Sequence, residues 1–191
     1  AHGSGSGRAS PRNRAVARKL NEHGWATLLV DLLSDQEQAL DAESGRYRFD
    51  ITLLASRLVA VTDWIAGQPR LRDLPLAYFG ASTGAAAALL AAAARPERVA
   101  AVVSRGGRID LAGAAVHLVR AATLLVVGSE DETVLELNER ALAELRCDKQ
   151  LRVVEGAGHL FEEPGALEAV TQLALPWLAQ HSSPPGVEAR V

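Results

Sequence analysis

Apolar residues along this chain keep two rhythms. In the first, short and nearly continuous runs occur at Trp25–Leu33 (WATLLVDLL), Pro75–Phe79, Val99–Ser104, Thr123–Val127 and Leu151–Val154. Runs of that length without polar alternation are expected of strands covered on both faces. In the second, apolar positions recur every three or four residues. Arg12–His23 places Val16, Ala17 and Leu20 on one side, ahead of the helix stop Gly24. Asp50–Ala66 does the same with Leu53, Leu54, Leu58, Val61 and Ile65. Thr83–Ala94, Val134–Leu145 and Gly165–Leu178 also read as helices, the last interrupted late by Pro176, and Ile109–Val119 as a weaker one. Ser34–Tyr47 is polar and is expected to be a long connection, helical only in part. Strands and helices therefore alternate, which implies an α/β fold: a mostly parallel sheet with helices on both faces. One domain is expected over residues 1–180, followed by a loose tail, His181–Val191, with two prolines and little to bury.

Composition narrows the class. With 191 residues, 48% apolar and 23% charged, the chain can bury a core and is not of a disordered type. A net charge of -3 provides no basic footprint, so nucleic acid is not an expected partner. The longest apolar run, Ala85–Ala94, is too short to cross a bilayer, and no membrane partner is expected. The single cysteine, Cys147, excludes an internal disulfide framework and fits a reducing, cytoplasmic setting. It lies among Glu144, Arg146 and Asp148 with no activating neighbour, and reads as incidental.

The chemistry concentrates where a strand meets a helix. Pro75–Phe79 runs into Gly80-Ala81-Ser82-Thr83-Gly84 and then into an alanine-rich helix. This is G-x-S-x-G in the strand–turn–helix setting that exposes a serine hydroxyl at the sheet edge. A serine needs a base to take its proton, and the base needs an acid to hold its tautomer. On such a sheet, acid and histidine follow the serine on the loops after later strands. The strand Thr123–Val127 leads to Gly128-Ser129-Glu130-Asp131, which makes Asp131 the candidate acid, with Glu130 and Glu132 as rivals. Leu151–Val154 leads to Glu155-Gly156-Ala157-Gly158-His159, which makes His159 the candidate base. Asp31, after the run at Trp25–Leu33, is an alternative acid whose place before Ser82 counts against it.

These motifs resemble an α/β-hydrolase, and more narrowly the compact dienelactone-hydrolase-like group. The likeness extends from His2 to about Leu178 and includes His2-Gly3-Ser4-Gly5 and Ser10-Pro11-Arg12-Asn13. Related sequences are sometimes fused to a phosphoribosyltransferase domain, of which this chain has no trace. Dienelactone hydrolases proper use a cysteine nucleophile where this chain has Ser82, which favours general ester chemistry over strict lactone specificity. The resemblance implies that the His-Gly loop follows the third strand of the family sheet and supplies an oxyanion-hole amide. By that carry-over the donors are the backbone N–H groups of Ser4 and Thr83. It also implies that earlier strands precede this chain, the third lying between Trp25–Leu33 and Pro75–Phe79. The absence of methionine agrees with that expectation.

Only Arg105–Arg120 separates Val99–Ser104 from the next strand, so no cap domain is expected. In that stretch Arg105 and Arg108 are candidate ligands for a substrate carboxylate or phosphate, with pairing to acids such as Asp110 the alternative, favoured for Arg108. His2 is expected to support its own loop, His23 to lie at a helix end, and His117 and His181 lack metal-ligand spacing. No metal or organic cofactor is called for. The function expected is a serine hydrolase acting on small-molecule esters or lactones through an acyl-enzyme. A non-catalytic binding domain on the same fold is the alternative, and acyl transfer would use the same residues.

Overall fold

The computed structural model describes residues 1–182. Four parallel strands form one sheet in chain order: β1 (Leu76–Ala81), β2 (Val99–Arg105), β3 (Ala122–Gly128) and β4 (Lys149–Val154). Helices α1 (Pro11–Glu22) and α6 (Ala166–His181) cover one face; α3 (Ile51–Ala66), α4 (Thr83–Ala94) and α5 (Glu132–Glu144) lie with the other. Strand alternation feeds both layers. Val102 and Leu125 join the core with α4, whereas Ala101, Val103, Leu124 and Val126 pack with α1 and α6. Ala85 to Ala88 are completely buried, and side chains this small let α4 lie close against the sheet.

Two expected boundaries move. Ser34–Tyr47 is more helical than its polarity implied: Asp35–Ser44 forms α2. Its start is fixed by a capping box, in which Ser34 accepts from the Glu37 amide and the Glu37 side chain accepts from the Ser34 amide. Pro176 does not interrupt α6, which continues to His181 with Trp177 and Leu178 buried against the sheet. Ile109–Leu118 is 3₁₀-helical with a break at Gly113, and its Ile109, Ala112 and Val116 are buried in the layer that contains α4. Of the expected tail, residues from 183 onward lie outside the described residues.

Trp25–Leu33 is a correction. The segment has no strand pairing among the described residues, and Leu28 in its middle is 55% exposed. Its apolar pattern suits a strand with neighbours on both sides, but a strand exists only through a ladder to a neighbour. Instead, a groove of about 360 Å³ separates this segment from the open edge of β1. Trp25–Val30 and Leu76–Phe79 form its sides, with Val16 and Leu20 of α1 above and Leu58 and Val61 of α3 below. At one end Ala1 contacts β1 as a strand would. Its amino group donates to the Phe79 carbonyl (2.7 Å) and its carbonyl accepts the Ala81 amide (3.0 Å).

Candidate active site

Ser82 stands on a turn that its neighbours force. Its backbone has φ 50° and ψ −122°, a left-handed conformation that costs a non-glycine residue on the order of 1–3 kcal/mol. The flanking glycines make the turn possible. A Cβ on Gly80 would lie 2.5 Å from Ala85 Cα, and one on Gly84 would lie 2.3 Å from the His2 carbonyl oxygen. The turn is clamped from the β2 side. The Ser82 amide donates to the Arg105 carbonyl (3.1 Å), and the Arg108 amide donates to the Ser82 carbonyl (3.2 Å).

The loops after β3 and β4 are sewn together before they present side chains. The Glu130 amide donates to the Ala157 carbonyl (3.0 Å), and the Gly156 amide donates to Ser129 Oγ (2.8 Å). Gly128 admits this contact, since a Cβ there would fall 2.0 Å from the Ala157 carbonyl oxygen. The result is a continuous line. His159 Nδ1 lies 2.6 Å from Asp131 Oδ2, and His159 Nε2 lies 3.2 Å from Ser82 Oγ. A carboxylate can only accept, so Nδ1 bears the proton and Nε2 is left to accept the serine hydroxyl. The Asp131 side chain is mostly buried and that of His159 partly open. Of the rival acids, Glu130 is exposed and accepts from the Ser129 hydroxyl, and Glu132 is exposed at the start of α5. Phe161, buried and at φ 54°, anchors the histidine loop beside Gly106.

The first loop closes on Ser82 from the other side. A Cβ on Gly3 would lie 2.9 Å from Ser82 Cβ, so Ser4 sits one residue from this contact. His2 fixes the loop with both ring nitrogens: Nδ1–H donates to the Gly3 carbonyl (2.9 Å) and Nε2 accepts the Leu32 amide (2.9 Å). That arrangement requires the neutral ring. Burial pushes its pKa below the usual histidine value, against the opposing pull of the Gly3 carbonyl. Asp31 is a second fastening, accepting from the Arg8 amide (2.7 Å) and from Arg8 Nε (2.9 Å). Its carboxylate thus braces the loop rather than facing His159. Thr83 opens α4, and its amide is among those a helix leaves without an internal partner.

The two arginines differ. Arg108 gives both forks of its guanidinium to Asp110, at 2.9 and 2.7 Å. Arg105 is buried, donates to Asn13 Oδ1 (3.2 Å), and has one terminal nitrogen without a partner among the described residues. Burial and the nearby Arg12 guanidinium lower its pKa to about 10. Sequence analysis did not identify the contacts between Arg12 and Glu162 or between Asn138 and Gly107, because spacing carries no sign of pairs formed across elements. No three histidine, cysteine, aspartate or glutamate side chains gather as a metal site among the described residues, and no described helix is long and apolar enough to cross a membrane.

No family model matches the chain. Two curated Mycobacterium tuberculosis proteins, from strains H37Rv and CDC 1551, are 57% identical over 186 residues, 97% of this chain. Each bears the name "Putative phosphoribosyl transferase", and the chain spans 41% of its length. The crystal structure of dienelactone hydrolase from Anabaena variabilis is 56% identical, with a TM-score of 0.93 over 96% of this chain and 85% of that one. Est1E from Butyrivibrio proteoclasticus superposes with a TM-score of 0.72 at 19% identity, over 93% of this chain and 86% of that one, a likeness of fold. The parallel sheet, its flanking helices and the serine turn after β1 are those of an α/β-hydrolase fold. Within it, the chain belongs to the dienelactone hydrolase family.

Proposed function

We propose that this chain is a serine hydrolase of carboxylic esters or lactones that works through an acyl-enzyme. The hydrogen-bonded line from Ser82 through His159 to Asp131 carries the reading. His159 Nε2 takes the Ser82 proton as Oγ attacks the substrate carbonyl. Asp131 holds the ring and stabilises the imidazolium that forms. Negative charge growing on the carbonyl oxygen is met by the amides of Ser4 and Thr83, a kind of donor worth about 3 kcal/mol each. The imidazolium then protonates the leaving alcohol, and water enters by the reverse steps. Arg105, close to the elbow and short of partners, is the candidate ligand for an anionic substituent; Arg108 is committed to Asp110. The transferase name belongs to the longer relatives, and this reading concerns the span they share with the chain.

A fluorophosphonate probe tests the reading. Covalent labelling at Ser82 that disappears in Ser82→Ala is the expected result. An unlabelled, folded protein leaves the non-catalytic binding domain as the function. Hydrolysis of p-nitrophenyl esters of graded chain length, run beside lactones, then ranks the substrates.

We propose in addition that the groove beside β1 is filled by an extended apolar strand running into Ala1. The open edge of β1, the Trp25–Val30 segment without a strand partner among the described residues, and the two hydrogen bonds of Ala1 support this. Backbone groups left unpaired between two apolar layers are costly, and a parallel strand would satisfy them.

A further inference from the structure

The segment Arg105–Arg108 touches Ser82 and His159 and is tied to the helix that follows Asp131. Its first and last residues clamp Ser82 through the two backbone hydrogen bonds already described. Its second residue, Gly106, donates to the Val126 carbonyl (2.8 Å) and lies against the histidine. A Cβ on Gly106 would fall 3.2 Å from the His159 carbonyl oxygen and 3.5 Å from His159 Nδ1. The third, Gly107, is held from α5. Asn138 Nδ2 donates to the Gly107 carbonyl at 2.8 Å and to the Val134 carbonyl at 2.7 Å. The helix that carries Asn138 begins immediately after Asp131. One side chain thus fastens the acid's helix to the segment that clamps the nucleophile and underlies the base.

The amide is held at this position by its bond to Gly107. Asn138 is completely buried, and among the described residues its Oδ1 has no partner. Leucine of similar size would avoid that penalty but would leave the Gly107 carbonyl without its donor. The amide's orientation is chemically fixed, because reversing it would set Oδ1 against two carbonyl oxygens. Gly107 has no freedom to move away on its other side, where a Cβ would fall 2.0 Å from Ser104 Oγ.

We infer that Asn138 is a positioning residue: its bond to the Gly107 carbonyl holds the Arg105–Arg108 segment in the register that keeps Ser82 Oγ within reach of His159. It touches neither substrate nor the reacting atoms. The activity part of the test rests on the hydrolase reading; the exchange part does not.

Asn138→Leu retains volume and loses the donated bonds. This variant is expected to fold, to react with the fluorophosphonate probe at least about tenfold more slowly, and to keep its KM for a p-nitrophenyl ester, since misplacement of reacting groups falls on the chemical step. The amides of Ser82 and Gly106 should exchange with solvent faster, while those inside α5 keep their protection. Asn138→Asp supplies a second signature. A protonated carboxyl can donate to the Gly107 carbonyl, whereas a carboxylate presents only acceptors to it. Activity of that variant should fall as pH rises, opposite in sign to the gain from deprotonating a histidine base. Unchanged labelling and exchange in folded Asn138→Leu overturn the inference. Should that variant not fold, an Asn138→Asp pH profile parallel to the unmodified protein overturns it. Failure of the unmodified protein to label sinks the hydrolase reading instead, and the exchange rates still decide the brace.

Discussion

Gly84, in the serine turn, lies against the backbone of His2, so closely that a Cβ on the glycine would fall 2.3 Å from the His2 carbonyl oxygen. The second glycine of the motif therefore serves the first loop of the chain, and not only the packing of helix on strand. Gly84→Ala must push that loop away from Ser82. Because a displacement of about 1 Å near reacting atoms can cost about 100-fold, kcat for an ester substrate is expected to fall by one to two orders of magnitude. Steady-state kinetics check this, with circular dichroism verifying that the variant is folded.

Asp131 and Glu130 are adjacent acids with different surroundings. Only Asp131 contacts the imidazole, at 2.6 Å. Asp131→Asn should lower kcat by about 10⁴-fold, since the amide favours the wrong histidine tautomer. Glu130→Gln should leave kcat within about twofold, because its side chain is exposed and accepts its hydrogen bond from Ser129. Equal effects of the two substitutions would contradict the assignment.

His2 makes stability depend on pH. Its folded pKa is lowered, chiefly by burial, whereas the unfolded ring titrates at about 6.5. Below that pH the unfolded chain takes up a proton that the folded chain resists. Stability should therefore be unaffected by His2 above about pH 6.5 and fall as the pH drops from there toward the lowered folded value. Urea midpoints at pH 7.5 and pH 5.0 measure the fall, and the difference should shrink in His2→Asn.

Ala77 and Phe79 lie on alternate positions of β1 whose backbone faces the groove, the side on which Ala81 already meets Ala1. Joining a seven-residue, alternating valine and isoleucine segment to Ala1 should slow hydrogen exchange at these two amides and raise the melting temperature. Emission from Trp25 and Trp64, which line the groove, should shift to the blue. Exchange rates and emission that ignore the added segment would rule out a strand site.

Much of the site was legible because its chemistry is tied to local sequence. G-x-S-x-G is forced by contacts within a few residues, such as that of Gly80 with Ala85. Asp131 and His159 stood out as candidates because each ends the loop after a recognisable apolar run. Arg105 and Arg108 were both candidate ligands in sequence, with pairing to an acid favoured for Arg108; on folding Arg108 does meet Asp110 two residues away, and Arg105 is carried into the interior beside Asn13. Asp31, an alternative acid in sequence, is drawn to Arg8 instead.

The sequence by itself determined the order of strands and helices, the two-sided core and which serine, histidine and aspartate are the candidates, since hydrophobic period and turn chemistry are local properties. It misjudged Trp25–Leu33 because an apolar run records what a strand would bury, not whether a neighbour is present to pair with it. Tertiary structure alone decided which groups meet: His159 between Ser82 and Asp131, His2 on Leu32, and Asn138 on Gly107. Those contacts join residues 28 to 77 positions apart, and packing, not local preference, sets distances across such separations.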